Sequence, residues 1–314
     1  MRRQLVVGSW WLVVMVVAAL PLRGSVYYVT VAGLGGEPDY EQRFVGTAKA
    51  LDKVFKSASG AHVYTLTGAQ ATKVGLSGVM AAVAREAKAE DDLVVTLIGH
   101  GSFDGVEYKF NLVGPDVSAV ELAVLCDKVA AKRQLIVNTT SASGGSVAAL
   151  ERVGRGVIAA TKAGTEKNAT VFARYWAEAL QDSTADVDKS ESISAMEALQ
   201  YAERKTAAFY ESQKRLATEH AVFEDTGRGE AVKASAMQGR QGALLSSLTV
   251  VRIGGAQSAM NDPAKRELLL KKEELEQKID GLKYQKAAME PGAYKKQLTE
   301  ALLQLAAVQG ELEK

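Results

Sequence analysis

The chain has 314 residues, is 47% hydrophobic, and carries 38 basic against 37 acidic residues for a formal charge of +1. That balance gives no ground for a nucleic-acid partner, and the length allows one sizeable core plus an appendage. The single cysteine, Cys126, rules out an internal disulfide and a cysteine-built zinc site; among Leu122, Val124 and Leu125 it reads as a buried, inert thiol.

The first residues read as an export signal. Arg2 and Arg3 precede an apolar run from Leu5 to Leu22, and Val17-Ala18-Ala19 offers small residues for cleavage. Residues 1–25 are therefore expected to be a signal peptide, sending the protein to a periplasmic or extracellular location. Left uncleaved, the same run is nearly long enough for an N-terminal membrane anchor, the one route to a membrane partner.

From residue 26 apolar strands alternate with amphipathic helices. Tyr27 to Val31 reads as a strand that ends in Gly33-Leu34-Gly35-Gly36. Phe44, Ala48, Leu51, Val54 and Phe55 then recur at helical spacing. A strand at His62 to Leu66, a helix from Leu76 to Ala87, and the most apolar strand, Leu93 to Ile98, follow. Next come a helix near Ala119 to Ala130, a strand at Leu135 to Val137, a helix at Val147 to Arg152 and a strand at Gly156 to Thr161. The alternation predicts an α/β fold with a mostly parallel sheet and helices on both faces. The continuous apolar runs suit strands covered on both sides. A helical insert is expected at about 169–240, and a last strand at Leu244 to Ile253 closes a domain spanning 26–258. Over 263–314, Leu268, Leu275, Ile279 and Leu282, then Leu298, Leu302, Leu305 and Val308, repeat at three-, four- and seven-residue steps around Glu290-Pro291-Gly292. That pattern predicts an antiparallel helical hairpin, a self-paired appendage or a coiled-coil contact that makes a homodimer.

Two loops at the carboxyl ends of consecutive strands hold the candidate chemistry, because ligands of open α/β sheets meet that rim. The first is Gly99-His100-Gly101-Ser102-Phe103-Asp104-Gly105. The second is Asn138-Thr139-Thr140-Ser141-Ala142-Ser143-Gly144-Gly145. A glycine-flanked histidine at a strand end points to function more than packing, whereas His62 and His220 read as structural or solvated. A strand ending in His-Gly, followed by a strand ending in a small-x-x-Ser-Gly loop, resembles the clan of cysteine peptidases that contains caspases, legumain and gingipains. The resemblance spans the element order from Ser25 to Ile253, and specific residues agree at Ile98 to Gly101 and Thr140 to Gly145.

The resemblance implies that His100 is the general acid/base, that Ser141 stands where the clan has its nucleophilic cysteine, and that the amides of Gly101 and Ser141 serve as oxyanion donors. A serine hydroxyl needs a base in direct hydrogen-bond contact, which the clan's histidine is not thought to supply. The reading that follows is a catalytically impaired pseudopeptidase that binds peptides or protein partners through the old cleft. The alternative is an active endopeptidase with a His100/Ser141 dyad, oriented by Asp104. A third reading makes the hydroxyls of 139–143 caps for the following helix.

No cofactor is required by this chemistry. Gly33 to Gly36 lacks the third glycine and the acidic ribose partner of a dinucleotide site, so it reads as a turn on the rim. Asp186 to Glu197 follows the calcium-loop template. Asp186, Asp188, Ser190, Ser192 and Glu197 are the candidate ligands, although Glu191 stands where that loop needs glycine. Asn138-Thr139-Thr140 and Asn168-Ala169-Thr170 fit the N-glycosylation triplet.

Overall fold

A computed structural model describes residues 24–228 and 230–314. The expected signal peptide lies outside the described residues, apart from Gly24 and Ser25. In chain order the elements begin with β1 (Val26–Ala32), α1 (Pro38–Lys56), β2 (Ala61–Leu66), α2 (Lys73–Glu86) and β3 (Asp92–Ile98). A short antiparallel group follows: β4 (Gly101–Phe103), β5 (Tyr108–Phe110) and β6 (Val117–Ser118). Then come α3 (Ala119–Asp127), β7 (Arg133–Asn138), α4 (Val147–Leu150), β8 (Arg155–Ala159), α5 (Phe172–Ala179), β9 (Ser192–Ser194) and α6 (Ala195–Ser212). The chain finishes with β10 (Val222–Glu224), α7 (Ala243–Ser247), β11 (Thr249–Arg252), α8 (Gly254–Asn261), α9 (Pro263–Gln285) and α10 (Pro291–Leu312).

Six strands form the central sheet in the order β10-β8-β7-β3-β1-β2. All neighbours are parallel except β10, which runs antiparallel to β8. Every residue of β3 is buried, as its unbroken apolar run demands of a strand with helices on both faces. One side of the sheet packs Tyr28, Val94 and Leu135 against Phe44, Leu51, Phe55 and Trp176. The other packs Val29, Val95 and Ile136 against Leu76, Met80, Leu122 and Cys126. The buried thiol of Cys126 is pushed up to about 12 by desolvation, which leaves no thiolate for chemistry. The parallel sheet, the covered faces and the antiparallel pairing of α9 with α10 agree with the sequence reading.

Helix starts follow local chemistry. Ser118 and Glu121 close a capping box on α3, Ser194 and Glu197 close one on α6, and Pro opens α1, α9 and α10.

Three elements depart from expectation. The Leu244 to Ile253 run is a short helix, α7, followed by β11, because Asp225 caps α7 by accepting from the amides of Gly242, Leu244 and Leu245. β11 pairs with β9 rather than with the main sheet. Within 169–240 the chain makes not only α5 and α6 but also β10, an edge strand of the central sheet.

Candidate functional site at the carboxyl rim

β3 and β7 are direct neighbours, with Leu97 beside Asn138, so the loops carrying His100 and Ser141 leave the same rim side by side. Gly101 is glycine because a Cβ there would lie 2.5 Å from the Ser141 carbonyl oxygen and 2.5 Å from the Tyr108 ring. That close approach lets one hydroxyl bind the facing backbone twice. Ser141 Oγ accepts from the Gly101 amide at 3.0 Å and donates to the Gly101 carbonyl at 3.0 Å. Ser141 is only 2% exposed, and the His100 ring is not among its hydrogen-bond partners.

The rest of the loop is equally committed. Thr140 Oγ1 meets the Tyr108 hydroxyl at 2.6 Å and donates to Asn138 Oδ1 at 2.8 Å, while Asn138 Nδ2 donates to Ser146 Oγ at 3.0 Å. Thr139 Oγ1 donates to the Leu97 carbonyl, and Ser143 Oγ accepts from the Thr161 amide. Ala142 follows Ser141 in the left-handed region at φ 56° although it is not glycine, a conformation that costs on the order of 1 kcal/mol. Its amide donates to the Glu166 carbonyl at 2.8 Å, which pins that turn.

His100 is different. Its half-buried ring stands edge-on to Tyr40 and Phe44, with centroids 4.7 and 5.1 Å away. Burial pushes the imidazole below its ordinary value; the Arg43 guanidinium adds to the shift, while a hydrogen bond with the Gly35 backbone and the Glu37 carboxylate oppose it. The ring thus sits against the β1–α1 turn, the glycine turn of the sequence reading, where its protonated form is disfavoured. Asp104 does not orient it. This carboxylate accepts from the amides of Val106 and Glu107 at 2.8 Å each, closing the β4–β5 turn.

A second imidazole shares the rim. Because β10 is antiparallel, the residues before it lie at the carboxyl ends of its neighbours, with Val222 beside Ala159. There His220 Nδ1 lies 2.6 Å from Glu166 Oε1, and the His220 amide donates to Glu166 Oε2 at 3.2 Å. The sequence reading treated His220 as structural or solvated; locating it here required seeing 222–224 as a strand. Tyr40 and Phe44, four residues apart on α1, were readable only as a helical stripe.

The acidic loop stands elsewhere, between α5 and α6. Carboxylate oxygens of Asp186, Asp188 and Glu197 all lie within 4.8 Å of one another, and the hydroxyls of Ser190 and Ser192 bond to each other at 3.0 Å. Glu191 adopts φ 64°, taking the left-handed turn without glycine. The same oxygens also serve the chain itself: Asp186 accepts from the amides of Ser190 and Glu191, Glu197 from those of Val187 and Ser194. The Lys272 ammonium, from α9, donates to the Ser190 carbonyl at 2.7 Å. Of the two glycosylation triplets, Asn138 is fully buried and bonded, and Asn168 is exposed. A groove of about 380 Å³ between α1 and α5, lined by Thr47, Arg174, Glu178 and Asp182, includes none of the rim residues.

No protein-family model matches the chain, and no curated protein matches it. Among solved structures it is similar to the Drosophila initiator caspase Dronc, at 12% identity over 68% of this chain and 83% of that one, with a TM-score of 0.42. A protein from Geobacter sulfurreducens aligns at 13% identity over 74% of this chain and all of its own, with a TM-score of 0.46. Caspase-1 from Spodoptera frugiperda aligns at 13% identity over 65% and 86%, with a TM-score of 0.44.

Proposed function

We propose that this is an exported, caspase- and legumain-like pseudopeptidase that binds a peptide or protein partner at the rim beside His100 without cutting it. The observation that carries this reading is the pair of hydrogen bonds between the Ser141 hydroxyl and the Gly101 backbone. The amide that the resemblance makes an oxyanion donor is thereby occupied by the side chain expected to attack. Among the described residues the hydroxyl is hydrogen-bonded to the Gly101 backbone and to no base, and its burial withholds it from a substrate carbonyl.

Binding keeps its support. The His100 ring is half-open beside Tyr40, whose face carries the Arg43 guanidinium at 4.4 Å, so an imidazole, an aromatic surface and a cation adjoin one rim. The hydroxyl that would have attacked is closed, while the imidazole and the aromatic surface beside it stay half-open.

The test is turnover of fluorogenic peptides ending in Asn, Asp, Arg or Lys by the purified protein. The proposal expects release indistinguishable from a buffer blank. Release that disappears in both Ser141→Ala and His100→Ala would establish the endopeptidase alternative instead.

A further inference from the structure

The hairpin is asymmetric in how its two helices are used. α9 faces the domain with Leu269, Leu275, Ile279 and Leu282 buried, and a paired Arg252–Glu273 contact at 2.6 and 2.9 Å secures it. α10 rests chiefly on α9, and at its far end Leu312 joins Ala256 and Ala259 of α8 in a small apolar cluster. Of its 22 residues Ala301 alone is buried, and Tyr294, Leu298, Leu305, Val308 and Leu312 line the inner side with it. On the outer side Leu302 and Leu303 are 47% and 68% exposed, with Ala306 and Ala307 open one turn on.

The charges on that outer side have an order. Lys295 and Lys296 stand near the amino end, Glu300 one turn further on, and Glu311 and Glu313 near the carboxyl end; all five are exposed, and none is ion-paired among the described residues. Glu313 takes only Gln309 of its own helix. Glu290 caps the amino end of α10 by accepting from the Ala293 amide, so that end is already served, and Lys295 and Lys296 stand beyond the capped turn.

Their spacing does serve an antiparallel copy. Lys295 and Glu313 are 18 residues apart, five turns at 3.6 residues each, and so lie on one flank. Lys296 and Glu311 are 15 residues apart and share the other flank within about 60°. The first pair is centred at residue 304 and the second midway between residues 303 and 304. A two-fold axis there sets Lys295 level with the second copy's Glu313, sets Lys296 level with its Glu311, and brings the two Leu303 side chains together.

We propose that the outer face of α10 is a homodimer interface, in which two copies pair their terminal helices antiparallel about Leu303, with four lysine–glutamate contacts flanking the leucines. A helix of this length is roughly 33 Å long, and two of them bury on the order of 1,000 Å², the low end for specific interfaces. An interface at that low end is expected to be weak and reversible, in the range of roughly 1–100 micromolar. This inference does not depend on what the rim binds.

Sedimentation velocity on the full chain tests it with a charge swap. Lys295→Glu with Lys296→Glu, and separately Glu311→Lys with Glu313→Lys, each turn four attractions into repulsions. Each pair should weaken association about tenfold while circular dichroism stays unchanged. Mixing the two variants in equal amounts restores every contact in the mixed pair, so association returns to within about twofold of the native chain. Leu303→Asp abolishes it. The proposal is overturned if the native chain stays monomeric at several times the upper end of that range, if either double variant associates as well as the native chain, or if the mixture fails to recover.

Discussion

Two adjoining loops of the same rim have been treated oppositely by the fold. At the end of β3 the His100 imidazole is half-open, packed at a steep angle to two aromatic rings, and burial lowers its pKa. At the end of β7 every hydroxyl from Thr139 to Ser143 is buried and bonded within the chain. A nucleophile must be reachable and underused by its surroundings, whereas a structural pin is bonded on all sides. On the proposed function, that contrast assigns His100 to the binding surface and Ser141 to the frame.

The contrast can be broken in order of expected effect. Asn138→Ala removes the hub that ties Tyr108, Thr140 and Ser146 together; it should cost about 2–4 kcal/mol in chemical denaturation, and a near-neutral result would refute the pinned loop. Ser141→Ala strands the buried amide and carbonyl of Gly101 and should cost about 1–3 kcal/mol. An unchanged or raised stability would instead mark a strained, catalytic serine. His100→Ala, at a half-open position, should cost less than about 1 kcal/mol by the same assay.

The histidine also makes a pH prediction. Its folded pKa lies below the ordinary 6.5, so the folded chain binds fewer protons than the unfolded one. Stability should hold above that ordinary value and fall as the pH drops through the folded one, and His100→Gln should flatten that component. Proton NMR of the three histidines would read the shift directly, and a His100 value above 6.5 would have the sign wrong. The smallest effect is expected at the acidic loop. Its carboxylates already accept backbone amides, and the Lys272 ammonium already faces it, so calorimetric titration with calcium should give heat indistinguishable from dilution. A saturable heat would assign Asp186, Asp188 and Glu197 as ligands.

What could be read in advance follows physical lines. The strands β1, β3 and β7 are apolar runs whose burial on both faces needs no partner information, and they alone placed His100 and Ser141 at neighbouring strand ends. The strands β4, β5, β9 and β10 have three residues each, too few to show a period. Without β10 there was no way to bring His220 to the rim, 54 residues from Glu166. Nor could residue order reveal that Gly101, readable as a flexible neighbour of His100, is the close-approach point that seals Ser141. The apolar run at Leu244 to Ile253 fitted a strand equally well, and only the distant cap from Asp225 made its first half helical.

The central claim is that the Ser141 hydroxyl is not a nucleophile, and a fluorophosphonate probe tests it most directly, since such probes phosphonylate activated serines. Incubation of the native protein followed by peptide mass mapping should leave Ser141 unmodified. Stoichiometric labelling of Ser141 that is lost in His100→Ala would contradict the account and restore the dyad.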